Sequence, residues 1–199
     1  MAHADHDWDA MYTAAEPPPW DIGAVQPALA AYLAHASIAD PVVDAGCGTG
    51  ELTLLLASRE RRVLGFDASE PAIATARGKA AERSLAVDFR VADAARVAEL
   101  GIRPRTVLDS GLLHSLDEQA AAAYVGGLAT ICVPGALVCV LAMSIEAGQG
   151  WGQTEESLRT RFAAPTWVSS AVDGIQIHAR WQGEDLHMPG FLLTTHRAK

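Results

Sequence analysis

Apolar runs of strand length recur along the chain: Pro41 to Ala45, Arg62 to Phe66, Ala86 to Val91, Thr106 to Leu108 and Ala136 to Ala142. Between them lie helical stretches, Glu51 to Arg59, Pro71 to Arg83, Ala94 to Leu100 and Asp117 to Val133. The runs are rich in Val and Leu and lack polar alternation, as strands covered on both faces of a parallel sheet must be. Strand alternating with helix predicts an α/β fold built on an open, doubly wound sheet. Ser69 ahead of Glu70 and Pro71, and Ser115 ahead of Asp117 and Glu118, mark two helix starts.

The pattern changes after Ser144. Thr154 to Phe162 reads as a helix with an acidic first turn, and Val168 to Val172, Ile175 to Trp181 and Phe191 to Thr195 read as strands. Asp173-Gly174 between two β-rich runs predicts a hairpin there, so the tail ends antiparallel. Residues 1–40 hold Trp8, Tyr12, the Pro17 to Pro19 run, Trp20 and an apolar helix from Gln26 to Ala36. They are expected to cap a single domain spanning 41–199, without internal repeats.

Composition narrows the function. With 199 residues, half of them hydrophobic, the chain has enough apolar surface for one core. Its formal charge of −9 repels phosphate backbones and anionic lipid, so neither nucleic acid nor a membrane is an expected partner. The three cysteines, Cys47, Cys132 and Cys139, have no CxxC spacing, and the N-terminus lacks the basic and apolar stretches of a signal peptide. A cytoplasmic location follows as the expectation. The uncharged stretch from Ala120 to Ile145 is broken by Gly126, Gly127, Pro134 and Gly135, and reads as helix, turn and buried strand rather than a membrane span. Scarce lysine beside abundant arginine and alanine hints at a GC-rich bacterial source.

The chemistry starts at Asp44-Ala45-Gly46-Cys47-Gly48-Thr49-Gly50, which leaves a buried strand and enters a helix near Glu51. Alternate glycines let the backbone turn sharply and let a ligand approach. A dinucleotide site would need its third glycine at position 51, where Glu51 would face a pyrophosphate, and no Gly-Lys-Ser/Thr follows to make a P-loop. A neutral or cationic ligand fits better. Asp44, Asp67, Asp93 and Asp109 stand at or near the ends of four successive strands, the edge where open α/β sheets bind ligands. Each alone could be a helix N-cap; together with the glycine loop they read as a site.

These residues resemble the class I S-adenosylmethionine-dependent methyltransferases over roughly Val42 to Met143. Pro19-Trp20-Asp21-Ile22-Gly23 with Gln26-Pro27, the Leu108 to Ser115 run and Phe191-Leu192-Leu193-Thr194 resemble, more narrowly, the bacterial thiopurine-methyltransferase-like small-molecule enzymes. The resemblance implies a mostly parallel seven-stranded sheet with an antiparallel C-terminal hairpin, and a site for S-adenosylmethionine and its product S-adenosylhomocysteine. It implies that Gly46 and Gly48 lie against the methionine moiety, with Asp44 near its amino group. Asp67 would hold the ribose hydroxyls with Ala68 beside it, Asp93 and Ala94 would meet the adenine, Ser110 would add backbone contacts and Trp20 would cover the cofactor.

The acceptor side rests on the residues themselves. His114 follows the fourth strand, near where an acceptor must sit, and an imidazole there is expected to act as general base, with Asp109 as the competing base. Tyr12, Leu113 and Trp151 are expected to line the substrate pocket; Trp8 and Tyr12 share one face of a short helix. Cys47 reads as a packing residue, since neighbouring carboxylates raise a thiol's pKa. His178, His187 and His196 lack metal-ligand spacing, and His3 and His6 lie in a polar terminus, so no metal is expected. The expected function is methyl transfer to a small aromatic or heteroaromatic molecule through oxygen, sulfur or nitrogen, by a monomer or homodimer. The alternatives are methylation of a macromolecule and cofactor binding without catalysis.

Overall fold

The computed structural model describes residues 7–199, so His3 and His6 lie outside the described residues. A short helix α1 (Trp8–Thr13), capped by the Asp7 carboxylate, and α2 (Pro27–Leu33) precede the sheet. The alternating region then gives β1 (Val42–Ala45), α3 (Glu51–Ser58), β2 (Val63–Asp67), α4 (Glu70–Glu82), β3 (Asp88–Val91), β4 (Thr106–Ser110), α5 (Glu118–Ile131) and β5 (Leu137–Met143). Last come α6 (Glu155–Arg161), β6 (Trp167–Trp181) and β7 (Glu184–Arg197). The seven strands form one sheet in the order β3-β2-β1-β4-β5-β7-β6. The first five pair in parallel, whereas β7 runs antiparallel to both β5 and β6.

Burial explains the order. Every residue of β1 and of β5 is buried, as central strands covered on both faces must be, whereas β3 at the edge buries only Phe89. Successive residues point to opposite faces: Val43 and Val107 pack with Tyr124, Val125 and Leu128 of α5, and Val42 and Leu108 pack with Leu29 of α2 and Leu52 and Leu56 of α3. The chain moves outward from β1 through β2 to β3 and returns to β4 on the other side of β1. That reversal opens a crevice at the carboxyl ends of β1 and β4.

Four expectations are corrected. Asp173 and Gly174 do not turn; they stay in the ladder opposite Leu192 and Phe191, and β6 runs on unbroken. The chain turns instead at Gln182-Gly183, where both residues have positive φ (51° and 83°), the twist a tight hairpin needs. Ala94 to Leu100 is a 3₁₀ segment interrupted at Arg96 rather than an α-helix. Asp117, and not Ser115, caps α5, accepting the Ala120 N–H at 2.8 Å. The apolar helix expected from Gln26 to Ala36 is shorter at both ends, since Gln26 precedes α2 and uses its side chain elsewhere. Among the described residues no helix is long and apolar enough to cross a membrane.

Candidate active site

One cavity of about 630 Å³ occupies the crevice. The carboxyl ends of β1, β2 and β4 supply Asp44, Asp67 and Ser110, the connections after these strands supply Gly46, Gly48, Ala68 and His114, the connection after β3 supplies Asp93 and Ala94, and the N-terminal cap supplies Trp8, Tyr12 and Trp20. Trp151 also lines it. Leu113 does not: it is fully buried in the core against α5, so its place in a substrate pocket is corrected. The turn at Gly111, with φ of +109°, sends Leu112 and His114 to the cavity and Leu113 away from it.

The glycine loop is held by Asp67. One carboxylate oxygen accepts the Gly48 N–H at 2.9 Å and the other accepts the Ser69 N–H at 2.9 Å, which ties the loop after β1 to the start of α4. A carboxylate can accept about four hydrogen bonds, so room remains on it for a ligand hydroxyl. Burial raises the Asp67 pKa above the usual carboxylate range despite these bonds. Asp93 accepts the Ala95 N–H through one oxygen and leaves the other open, so it is both a cap and a cavity residue. Glu51 also lines the cavity, but its charge is paired: Lys79 meets it at 2.8 Å and also reaches Thr49, whose hydroxyl donates to Asp21 of the cap.

Asp44 and Asp109 differ although both are buried and both are pushed up to about 7 by desolvation. Asp44 reaches the cavity and accepts the Thr53 hydroxyl. Asp109 does not line the cavity; its oxygens accept the N–H groups of Gly111, Leu112 and Leu113. Its role as a competing base is therefore corrected: it shapes the loop that carries His114. Burial, with Asp44 and Asp67 nearby, pushes the Cys47 thiol well up.

His114 is also corrected in its role. Its Nδ1 accepts the Met143 backbone N–H at 3.2 Å, so the ring proton sits on Nε2. Desolvation lowers its pKa to about 4. A second proton would have to break the bond to Met143, which leaves His114 a neutral hydrogen-bond donor rather than a base. Its ring meets Trp151 edge to face at 5.4 Å. Trp8 bridges Trp20 (5.8 Å) and Trp151 (6.2 Å), and the Trp20 indole N–H donates to the Tyr12 hydroxyl at 3.1 Å. The cavity thus has a carboxylate-and-glycine half and an aromatic half.

Gln26, which stands in the Gln26-Pro27 pair with no site role expected of it, proves to hold the cap. Its buried carboxamide donates to the His178 carbonyl at 2.8 Å and accepts the His178 N–H at 2.9 Å, standing in for a neighbouring strand at the edge of β6. With the Arg180 N–H bonding Pro19 O at 2.7 Å, it ties the cap that carries Trp20 to β6. Replacing Gln26 by leucine leaves both His178 backbone groups unpaired and should destabilise the protein by about 1 to 3 kcal/mol. Hydrogen exchange should quicken at His178 and Arg180 together; unchanged exchange would mean that the cap is held elsewhere.

A family model described as a methyltransferase domain matches residues 42–135. The 2-heptyl-1-hydroxyquinolin-4(1H)-one methyltransferase of Mycobacteroides abscessus is 35% identical over 142 residues, 71% of this chain and 63% of that protein. The match therefore spans less than two thirds of that relative's length. A structure solved in work on the conversion of a disulfide bond into a thioacetal group during echinomycin biosynthesis is 33% identical. It superposes over 100% of this chain and 93% of its own with a TM-score of 0.86. Magnesium protoporphyrin IX methyltransferase from Synechocystis PCC 6803, solved with bound S-adenosylmethionine, has the same fold, with a TM-score of 0.61 and 24% identity over 79% of this chain and 69% of its own. Glycine loop, strand order and the near-complete match to a relative a third identical agree: the chain belongs to the class I S-adenosylmethionine-dependent methyltransferases.

Proposed function

We propose that the protein transfers a methyl group from S-adenosylmethionine to a small aromatic or heteroaromatic molecule through oxygen, sulfur or nitrogen, in the manner of the thiopurine-methyltransferase-like enzymes. The observation that carries this reading is the division of one cavity into two chemically different halves. Its carboxylate half fits a nucleoside with a cationic amino-acid tail. Asp67 has lone pairs left for ribose hydroxyls, Asp93 has a free oxygen for an adenine amino group and Ala68 and Ala94 leave room beside them. Asp44 suits the tail's ammonium, and Gly46 and Gly48 keep side chains out of its path. Trp20, held by Tyr12, covers it, and Ser110, at the end of β4, adds backbone contacts.

S-adenosylmethionine supplies a methyl carbon on a positively charged sulfur, which a nucleophile can attack in line. The protein's part is to hold that nucleophile in a dry, oriented pose, an effect that can contribute about 7 to 11 kcal/mol. Trp8 and Trp151 offer ring faces and edges for a flat acceptor, and Leu141 and Met143 keep water from its reacting edge. His114 donates from Nε2 to the acceptor and fixes its angle; it takes no proton. An acceptor that ionises near neutral pH, such as an N-hydroxy heteroaromatic like that of the Mycobacteroides relative or a heteroaryl thiol, suits a site without a free base.

The test is incubation with labelled S-adenosylmethionine and a panel of 1-hydroxyquinolin-4(1H)-ones, phenols, heteroaryl thiols and amines. Label should move to the acidic members. Label on none of them, with S-adenosylhomocysteine bound normally, would overturn the acceptor class. His114→Ala should lower kcat/KM about 10-fold, as expected for one neutral hydrogen bond and lost packing, by the same factor for acidic and weakly acidic acceptors. A loss that grows with acceptor pKa would instead restore His114 as a base.

A further inference from the structure

The ribbon of β6 and β7 runs on past the sheet. Met143, opposite Gly190, is the last β5 residue to pair, while β6 and β7 remain paired out to Trp181 and Glu184. Beyond that point the ribbon has two unlike faces, because alternate residues point to opposite sides. One face carries the cross-strand pairs His178–His187 and Arg180–Asp185. The other carries Ile177–Met188, Ala179–Leu186 and, at its outer end, Trp181 opposite Glu184; its five apolar side chains all line the cavity.

Exposure on the apolar face rises outward. Ile177 and Ala179 are buried, whereas Leu186 is 42% and Trp181 52% exposed. From Ile177 to Trp181 the face runs about 13 Å at the usual strand rise. Its inner end is continuous with the aromatic half of the site, since Ile177 and Met188 pack in one cluster with Leu141, Met143 and Trp151. The ribbon is also fixed in orientation, because the backbones of His178 and Arg180 are bonded to Gln26 and Pro19 of the cap. Large apolar side chains held half-exposed at the mouth of a ligand cavity mark a contact surface.

We infer that this face is a subsite for an apolar arm of the methyl acceptor, an alkyl or aryl substituent that leaves the ring held at Trp151 and His114 and runs outward along Ile177 and Met188 to Leu186 and Trp181. The inference rests on the small-molecule methyltransferase reading. An arm of the acceptor is favoured over a second copy of the chain because the face forms the wall of the cavity itself, and a second copy seated there would close the acceptor's entrance. A bilayer is disfavoured by the charge of −9.

The experiment compares 1-hydroxyquinolin-4(1H)-ones bearing a 2-methyl or a 2-heptyl group. If added methylenes bury about half their surface, each pair is worth about 4-fold, and kcat/KM should favour the heptyl compound about 60-fold, mostly through KM. Leu186→Gln and Trp181→Ser, both at exposed positions, should each reduce that preference about 10-fold. Turnover of both compounds at equal kcat/KM would overturn the subsite while leaving the proposed function intact. If neither compound is methylated, that acceptor class fails, and the subsite is read instead from binding of hexanol, octanol and decanol to protein loaded with S-adenosylhomocysteine. Affinity rising with chain length in the unsubstituted protein, and rising less in Leu186→Gln, supports the subsite; affinity independent of length overturns it. A dimer in sedimentation that Leu186→Gln dissociates would also overturn it, assigning the face to a second copy.

Discussion

S-adenosylhomocysteine should lose at least about 1000-fold in affinity for a Gly48→Val protein whose circular dichroism is unchanged. Gly48 has a φ of +51°, and a Cβ there would lie 2.9 Å from the Tyr12 hydroxyl. A left-handed conformation costs an ordinary residue about 1 to 2 kcal/mol, and more with a branched Cβ. Relief of that strain shifts the Gly48 N–H that Asp67 accepts, and a hydrogen bond to a charged group is worth about 1.5 to 3 kcal/mol. Binding must then either drive the loop back against that strain or proceed with Asp67 displaced, and the valine side chain takes the ligand's space as well, which together account for a loss of roughly 4 kcal/mol. The fold should survive because Gly48 lies on a half-buried loop beyond β1 rather than in the core. A less severe pair separates strain from collision. Gly48→Ala should bind better in a Tyr12→Phe background than alone, since the next Tyr12 atom is 3.8 Å away. Calorimetry showing Gly48→Val within about 10-fold of the unsubstituted protein would remove the loop from the cofactor site.

Most of the sheet and the carboxylate-and-glycine half of the cavity were legible because their signals are local. A buried strand, alternate glycines and a following helix occupy neighbouring positions, and the carboxylates at strand ends follow from the same alternation. The aromatic half was harder to read because it depends on long-range contacts. Nothing beside His114 in the chain says that the Met143 N–H will occupy Nδ1; that bond joins residues 29 apart and decides the tautomer. Asp109 shares its strand-end signal with Asp44, yet its oxygens turn to the loop's own N–H groups, a choice set by how Gly111 bends. Asp-Gly is a hairpin signal only where the ladder ends, and here β7 is long enough to keep pairing past it, so Gln182-Gly183 makes the turn. The apolar face of Ile177, Ala179 and Trp181 lay within the strand expected from Ile175 to Trp181, but its partners Leu186 and Met188 went unread because β7 starts at Glu184, seven residues before the expected strand at Phe191. Leu113, expected in the pocket, lies between Leu112 and His114, which do line it, because one residue's shift past a bend reverses the direction in which a side chain points.

Cofactor-product affinity should rise with pH, by nearly 10-fold per unit between about pH 5.5 and about pH 7, and level off above it. The cause is Asp44. Without ligand its carboxyl is buried, next to the strand that carries Asp109, and is pushed up to about 7 even though the Thr53 hydroxyl donates to it. An ammonium placed against it prefers the ionised form, so binding below about pH 7 must release a proton, which calorimetry in buffers of different ionisation heat will count. Asp44→Asn should bind more weakly and lose the pH dependence. Stability has the opposite slope. An unfolded aspartate titrates near 3.9, so between that value and about 7 the folded, ligand-free protein holds protons that the unfolded chain has given up. Its Tm should therefore fall as pH rises through this window, and saturating ligand should flatten the fall by giving the Asp44 charge a partner. Asp109 contributes to the stability slope but not to the binding slope, because it does not line the cavity. Asp109→Asn should accordingly change the first and leave the second. An affinity that stays constant from about pH 5.5 to about pH 7, or that keeps the same slope in Asp44→Asn, would show that Asp44 does not meet the ligand's charge.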